Sequence, residues 1–259
     1  MKTNSLGFIG GGRVTKIILQ AFENSGILFD RIVVSDTNPE VLNSLKTKFP
    51  KITVTADNLQ EVVQNEVVFI ALHPPVLMET MAKINDFVSK DAILVSLAPK
   101  LTIEKMAGAL GGFANLVRMN PSASAIVNKG VNPIAFSPEM QVDAKNKILE
   151  LMRSLGSTPV VEEPKIEAYA VISAMGHTYF FFQIQKLKEL AVTFGMSDKE
   201  AQTVLTEMLW GTTETLFKSG LPYNEVADLV PVKPMGEVEE TIKGYYDQYL
   251  TGIFAKIKP

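Results

Sequence analysis

The chain contains no cysteine, two histidines and one tryptophan in 259 residues. Without cysteine there is no disulfide, no thiolate metal site and no cysteine nucleophile. Two histidines, His73 and His177, are too few for a histidine-rich metal centre, and no metal is expected. Basic residues are not in excess. Lys and Arg number 25 against 28 Asp and Glu, a net charge of −3, so no basic field attracts nucleic acid or anionic lipid. No long hydrophobic run is present either. The most apolar stretch, 168–184, carries His177 and falls short of the ~20 residues of a membrane span, so it reads as a buried helix. The opening Met1-Lys2-Thr3-Asn4-Ser5 lacks the apolar core of a signal peptide. The expectation is a cytoplasmic protein with neither membrane nor nucleic acid as partner.

What is present is an ordinary globular balance, 46% apolar and 20% charged, which excludes a disordered chain. Short β-branched runs alternate with amphipathic stretches. Leu6–Ile9, Arg31–Ser35, Ile52–Val54, Val67–Leu72, Ala92–Ser96, Asn115–Arg118, Pro133–Phe136 and Thr158–Val161 read as strands. Helical patterns lie between them, one of them from about Pro138 to Leu155. Such alternation predicts an α/β fold, a doubly wound, mainly parallel sheet with helices on both faces. The alternation stops near residue 162. One long helix is predicted from Pro164 to Phe194, and Ser197-Asp198-Lys199-Glu200 is a capping box for the next. The expected domains are therefore 1–162, of dinucleotide-binding type, and 163–259, all helical.

Gly10-Gly11-Gly12-Arg13-Val14-Thr15 follows the first strand and opens a helix. This is where a dinucleotide fingerprint belongs: a tight turn, a close approach of backbone to pyrophosphate, and a helix N-terminus that holds the anion. Thr15 stands where Gly or Ala is usual. Asp36 follows the second strand at about the 20-residue spacing of the acidic ribose-binding position. A carboxylate there accepts from a 2′-hydroxyl and repels a 2′-phosphate, which leans toward NADH. Thr37 and Asn38 nonetheless leave a 2′-phosphate open. A plain turn and a solvated aspartate are the alternative. The candidate cofactor residues are Gly10, Gly11, Gly12, Arg13 and Val14 at the first turn, and Ser35, Asp36 and Thr37 after the second strand. Leu72, His73 and Pro74 follow at the end of the fourth, with Ser96, Ala98 and Pro99 as weaker candidates of the same kind.

Several motifs, in order, resemble the pyrroline-5-carboxylate reductase family along nearly the whole chain. Gly7-Phe8-Ile9-Gly10-Gly11-Gly12 is similar to the family's opening, which usually continues Asn-Met-Gly. Phe69-Ile70-Ala71-Leu72-His73-Pro74 stands where the family has an apolar strand ending in Lys-Pro. Val95-Ser96-Leu97-Ala98, with Leu101-Thr102 after it, resembles the next strand and helix start. Val117-Arg118-Met119-Asn120-Pro121 and Ala125-Ile126-Val127-Asn128-Lys129-Gly130 resemble its Arg-x-Met-Pro-Asn-Thr-Pro-Ala-x-Val-x-x-Gly stretch. Phe194-Gly195-Met196-Ser197, leading to Ala201, resembles its turn between two long helices. The resemblance implies a Rossmann domain, a helical dimerisation domain forming a homodimer, and NAD(P)H-dependent reduction of a small cyclic imine in proline biosynthesis.

The departures fall at the substrate segments. Ser173-Ala174-Met175-Gly176-His177-Thr178 aligns with Ser-Gly-Ser-Gly-Pro-Ala, Ser122-Ala123-Ser124 with Asn-Thr-Pro, and Val232-Lys233-Pro234-Met235-Gly236-Glu237 with a Ser-Pro-Gly-Gly-Thr-Thr carboxylate loop. His177 is the catalytic candidate, because an imidazole exchanges protons near neutral pH. A hydrogen-bonded histidine in a helix interface is an equal reading. Tyr179 reads as an interface tyrosine, and Arg118 as either a substrate carboxylate partner or a structural ion pair. Lys233 is a substitute for the lost loop or a solvated lysine. Trp210 and Phe180-Phe181-Phe182 read as core or dimer interface. Two other functions remain open: reduction of a different small imine or carbonyl compound, and a nucleotide-binding dimer without turnover.

Overall fold

The computed structural model describes residues 3–259, apart from the side chains of Pro74 and Pro75. The first part alternates β1 (Ser5–Ile9), α1 (Arg13–Asn24), β2 (Arg31–Ser35), α2 (Pro39–Lys48), β3 (Thr53–Thr55), α3 (Leu59–Val63), β4 (Val67–Ile70), α4 (Pro74–Ile84), β5 (Ile93–Ser96), α5 (Ile103–Ala109) and β6 (Leu116–Met119). Then come β7 (Gly130–Val131), β8 (Ile134–Phe136), α6 (Val142–Met152) and β9 (Gly156–Ser157). The seven-stranded sheet runs β3-β2-β1-β4-β5-β6-β8. All neighbours are parallel except β6 and β8.

Strands covered on both faces must be apolar throughout. β4, β5 and β6 are buried at every position. Register carries one row of side chains, Val34, Phe8, Phe69, Val95 and Val117, across five strands into one apolar cluster with Ile18 and Phe22 of α1. Phe8 and Phe69 stack at 4.8 Å. Val33, Val68 and Leu94 face the opposite cluster, with Leu77 and Met81 of α4. Each such side chain contributes about 1.5–3 kcal/mol on burial.

Thr158–Val161 does not form a full strand. Only Val160 bridges, to Ile134, while Gly156 and Ser157 pair with Gly130 and Val131. The helix read from Pro138 is shorter, because residues 153–155 tighten into a 3₁₀ turn.

The single helix predicted from Pro164 to Phe194 is four pieces. They are a 3₁₀ turn at Glu163–Lys165, α7 (Ile166–Tyr169), a π turn at Ala170–Ala174 and α8 (Gly176–Thr193). In the π turn Met175 N–H reaches back five residues to the Ala170 carbonyl at 2.9 Å. After it come α9 (Asp198–Lys218), α10 (Tyr223–Asp228) and α11 (Glu239–Ile257). The capping box is formed: Ser197 Oγ accepts from Glu200 N–H at 3.3 Å, and Glu200 accepts from Ser197 N–H at 2.8 Å.

The chain folds as two compact units. One holds residues up to Met175 together with Ile253–Pro259, the other Gly176–Gly252. The change of pattern read near 162 therefore precedes the division between units. Residues 163–175 pack with the sheet because Ile166 joins an apolar cluster and Glu163 and Glu167 bond Arg118. In the second unit, Phe180, Phe181 and Phe182 are 49%, 59% and 68% exposed and Trp210 is 68% exposed. Of the two readings of these aromatics, core or dimer interface, the single chain leaves the interface, because in it they are exposed. Among the described residues, no helix is long and apolar enough to cross a membrane.

Candidate functional site

The first three parallel strands fan out from β1 in one direction and β4–β6 in the other. Open α/β sheets bind ligands at this switch point, beyond the carboxyl ends of the strands. Register aligns those ends: Ile9 pairs with Ser35 and Ile70, and Ile70 with Ser96. The residues that follow, Gly10–Arg13, Asp36–Thr37, Leu72–His73 and Leu97–Pro99, therefore share one rim.

The turn after β1 is closely held. Gly10 has φ +101°, a conformation that favours glycine, and a Cβ there would stand 2.6 Å from the Ala71 carbonyl oxygen. Gly10 N–H donates to the Ser35 carbonyl at 2.7 Å. Gly11 N–H donates to Asp36 Oδ2 at 2.7 Å, and Asp36 Oδ1 accepts from Asn38 N–H at 2.8 Å. Thr15 is fully buried and its hydroxyl donates to the Gly10 carbonyl at 2.5 Å. This bond explains how a threonine occupies the third fingerprint position: its polar atom is satisfied within the turn. On the outer side, a Cβ at Gly12 would meet nothing within 4 Å.

Helix N-termini at the rim differ in what they offer. Asn38 caps α2 by accepting from Glu40 N–H at 2.9 Å, and Thr102 caps α5 by accepting from Lys105 N–H at 3.3 Å. α4 begins Pro74-Pro75, two residues without N–H donors. α1 has no side-chain cap and no acidic residue in its first turn, and it carries the exposed Arg13 there. Its free N–H groups, positive dipole end and open Gly12 suit an anion. A dinucleotide pyrophosphate fits this donor set.

The other candidates divide. Val14 is half-buried and packs on the core, so only its backbone faces the turn. Ser35 is buried, with its carbonyl engaged by Gly10, and Thr37 is exposed. Leu72 is half-buried, and His73 is exposed at the N-cap of α4, where its side chain makes no cap bond. The side chain of Pro74 lies outside the described residues. Ser96 is buried and accepts from Ala98 N–H at 3.4 Å.

Arg118 is a structural ion pair. It is 1% exposed and donates to Glu163 at 3.0 Å and to Glu167 at 2.5 Å. Glu163 also accepts from Ile103 N–H at 2.7 Å. A substrate carboxylate has no place on this guanidinium. The two glutamates went unread in the sequence, because they lie 45 and 49 residues from Arg118 and nothing local links them to it.

In the second unit His177 is half-buried near the start of α8, with its ring stacked on Phe181 at 5.8 Å. Tyr179 packs edge-on against Tyr246 at 6.1 Å. Burial, followed by the neighbouring Tyr246, pushes the Tyr179 phenol up from its ordinary value, so it stays a hydroxyl donor. Lys233 and Glu237 are exposed. Glu239 is held below the usual carboxylate range by its hydrogen bond to Lys243, at 2.6 Å. Among the described residues, no group of three or more His, Cys, Asp or Glu is placed to hold a metal ion.

Two family models match the chain. One, described as NADP oxidoreductase coenzyme F420-dependent, matches residues 5–100. The other, described as pyrroline-5-carboxylate reductase dimerisation, matches residues 163–256. The pyrroline-5-carboxylate reductase of Escherichia coli (strain K12) is 27% identical over 240 residues, 92% of this chain and 88% of its own length. The chain is thus similar to pyrroline-5-carboxylate reductases along nearly its whole length. It is an NAD(P)-dependent oxidoreductase. The Methanosarcina acetivorans member is 25% identical over 256 residues, 98% of this chain and 93% of that one. Among solved structures, the Plasmodium falciparum pyrroline carboxylate reductase with NADP bound superposes with a TM-score of 0.80. Its identity is 17%, over 98% of this chain and 96% of that one. The Coxiella burnetii pyrroline-5-carboxylate reductase gives 0.68 at 24% identity, over 99% and 95%. At such identities the superpositions speak for the fold alone. It is the Rossmann arrangement followed by a helical domain expected of pyrroline-5-carboxylate reductases.

Proposed function

We propose that the chain reduces a small cyclic imine of the pyrroline-5-carboxylate type with NAD(P)H. The observation that carries this reading is the bare N-terminus of α1 beside the open face of Gly12, in a chain similar to this family. Gly12, Arg13 and the first-turn N–H groups hold the pyrophosphate. Asp36, Ser35 and Thr37 sit at the adenosine ribose, and Leu72 and His73 at the nicotinamide side. When bound there, the cofactor would supply hydride chemistry. His177 would supply a proton to the imine nitrogen, so that the carbon accepts hydride and a neutral amine results, as a general acid. The decisive assay is loss of reduced-nicotinamide absorbance with pyrroline-5-carboxylate, run with NADH and NADPH in parallel. Turnover supports the reading. Nucleotide binding without turnover on this or any other imine or carbonyl compound supports a binding dimer instead.

A second reading, a related imine or carbonyl substrate without a carboxylate, is favoured by Glu237. It puts negative charge in the loop that resembles the family's carboxylate segment.

Asp36 favours NADH. Its two oxygens are fixed by Gly11 and Asn38, yet each keeps a lone pair for a ribose hydroxyl, and its charge opposes a 2′-phosphate. In Asp36→Ser the ratio of KM for NADPH to KM for NADH should fall about tenfold, ~1.4 kcal/mol. An unchanged ratio removes Asp36 from cofactor choice.

The exposed aromatics of the second unit are covered by a second copy in a homodimer, in keeping with the dimerisation match.

A further inference from the structure

The peptide unit between Gly10 and Gly11 is gripped at both ends by side chains. Its carbonyl oxygen accepts the Thr15 hydroxyl at 2.5 Å, and its N–H donates to Asp36 at 2.7 Å. Neither partner is loose. Thr15 is fully buried on α1, and Asp36 is tied by its second oxygen to Asn38 N–H at 2.8 Å. Three successive glycines would otherwise give the turn little steric resistance to a peptide flip. A flip here would lose the threonine bond and point a carbonyl oxygen at a carboxylate.

The next amides, those of Gly12 and Arg13, follow this peptide unit directly along the chain at the start of α1. A Cβ at Gly12 would meet nothing within 4 Å, so the turn is open at that residue.

We propose that Thr15 and Asp36 act together as a clamp that presets the glycine turn for the cofactor pyrophosphate, with Thr15 as a positioning residue for cofactor binding. The inference rests on the reading that the α1 N-terminus takes the dinucleotide. Thr15 touches no ligand. It acts by keeping the binding-competent turn the dominant one, so that binding does not have to order it.

The test uses the full chain and two probes, ADP, which carries a pyrophosphate, and adenosine, which carries none. Thr15→Val keeps the shape and removes the hydroxyl, and Thr15→Ser keeps the hydroxyl. In Thr15→Val the Kd for ADP should rise roughly 3- to 10-fold, the worth of one neutral hydrogen bond, while the Kd for adenosine stays put. KM should rise together for NADH and NADPH with kcat unchanged. Exchange of the Gly11 amide, measured without ligand, should speed up. Thr15→Ser should return ADP affinity to within about twofold of the parent, because the same bond is available.

Equal ADP affinity in Thr15→Val and the parent overturns the proposal. So does an equal loss for ADP and adenosine, which marks a general packing defect, and so does failure of Thr15→Ser to rescue. If the parent protein binds no ADP, the cofactor reading fails first and the clamp's role in binding falls with it. Parent binding with an indifferent Thr15→Val sinks the clamp alone.

Discussion

Glu167→Ala should cost the fold about 3–5 kcal/mol in urea unfolding. Arg118 sits at the end of β6 with 1% of its side chain exposed, and its charge is met by Glu167, itself 2% exposed, and by Glu163 at 26%. Removing Glu167 leaves a guanidinium N–H buried without its partner, and one half-exposed carboxylate to carry the pairing. Breaking a buried pair costs more than the pair itself is worth, because the remaining charge cannot rehydrate. Total stabilities of about 5–15 kcal/mol make such a loss a large fraction of the whole. Two comparisons make the test specific. Glu61→Ala removes the partner of Arg31, a pair at 2.6 Å whose side chains are 45% and 31% exposed, and should cost no more than about 1 kcal/mol. The double change Arg118→Met with Glu167→Leu should cost less than Glu167→Ala, since the one charge left without its ion pair is Glu163, which is 26% exposed and keeps its bond from Ile103 N–H. If Glu167→Ala and Glu61→Ala cost the same, the triad is not what joins residues 163–175 to the sheet.

His177→Ala should lower kcat by about 10²–10⁴-fold, the range for losing a positioned proton donor, with the Kd for ADP unchanged. Stacking on Phe181 and partial burial hold the ring in a defined place, as a donor requires. His177→Gln keeps a hydrogen-bond donor but cannot release a proton at neutral pH, so it should recover little. A loss below about threefold in His177→Ala, with the dimer intact, would falsify the assignment and leave the histidine a packing residue.

The sheet was legible because central parallel strands must be apolar on both faces, and Val67–Ile70 or Ile93–Ser96 can be little else. The rim was legible too. A glycine turn after the first strand and an aspartate after the second follow from chain direction alone. What could not be read were interactions that depend on where distant segments meet. Thr15 reads as a flaw in the fingerprint until its hydroxyl is seen on the Gly10 carbonyl. Arg118 stayed open between ligand and structure because Glu163 and Glu167 lie more than 40 residues onward. The stretch from Pro164 to Phe194 reads as one helix because an apolar run hides any change of pitch.

That change of pitch has a consequence for inherited insertions and deletions. A π turn holds one residue more than an α turn between hydrogen-bonded partners, and each helical residue advances the face by about 100°. Deleting a single codon within 170–174 would let the segment close as ordinary α-helix. The wide turn absorbs the extra residue, so its deletion would leave the helical phase of the residues after it nearly unchanged, whereas the same deletion inside an α-helical stretch would shift the phase by about 100°. The wide turn at Ala170–Ala174 thus tolerates the loss of one residue better than α8 does, since closing it restores ordinary α-helical bonding.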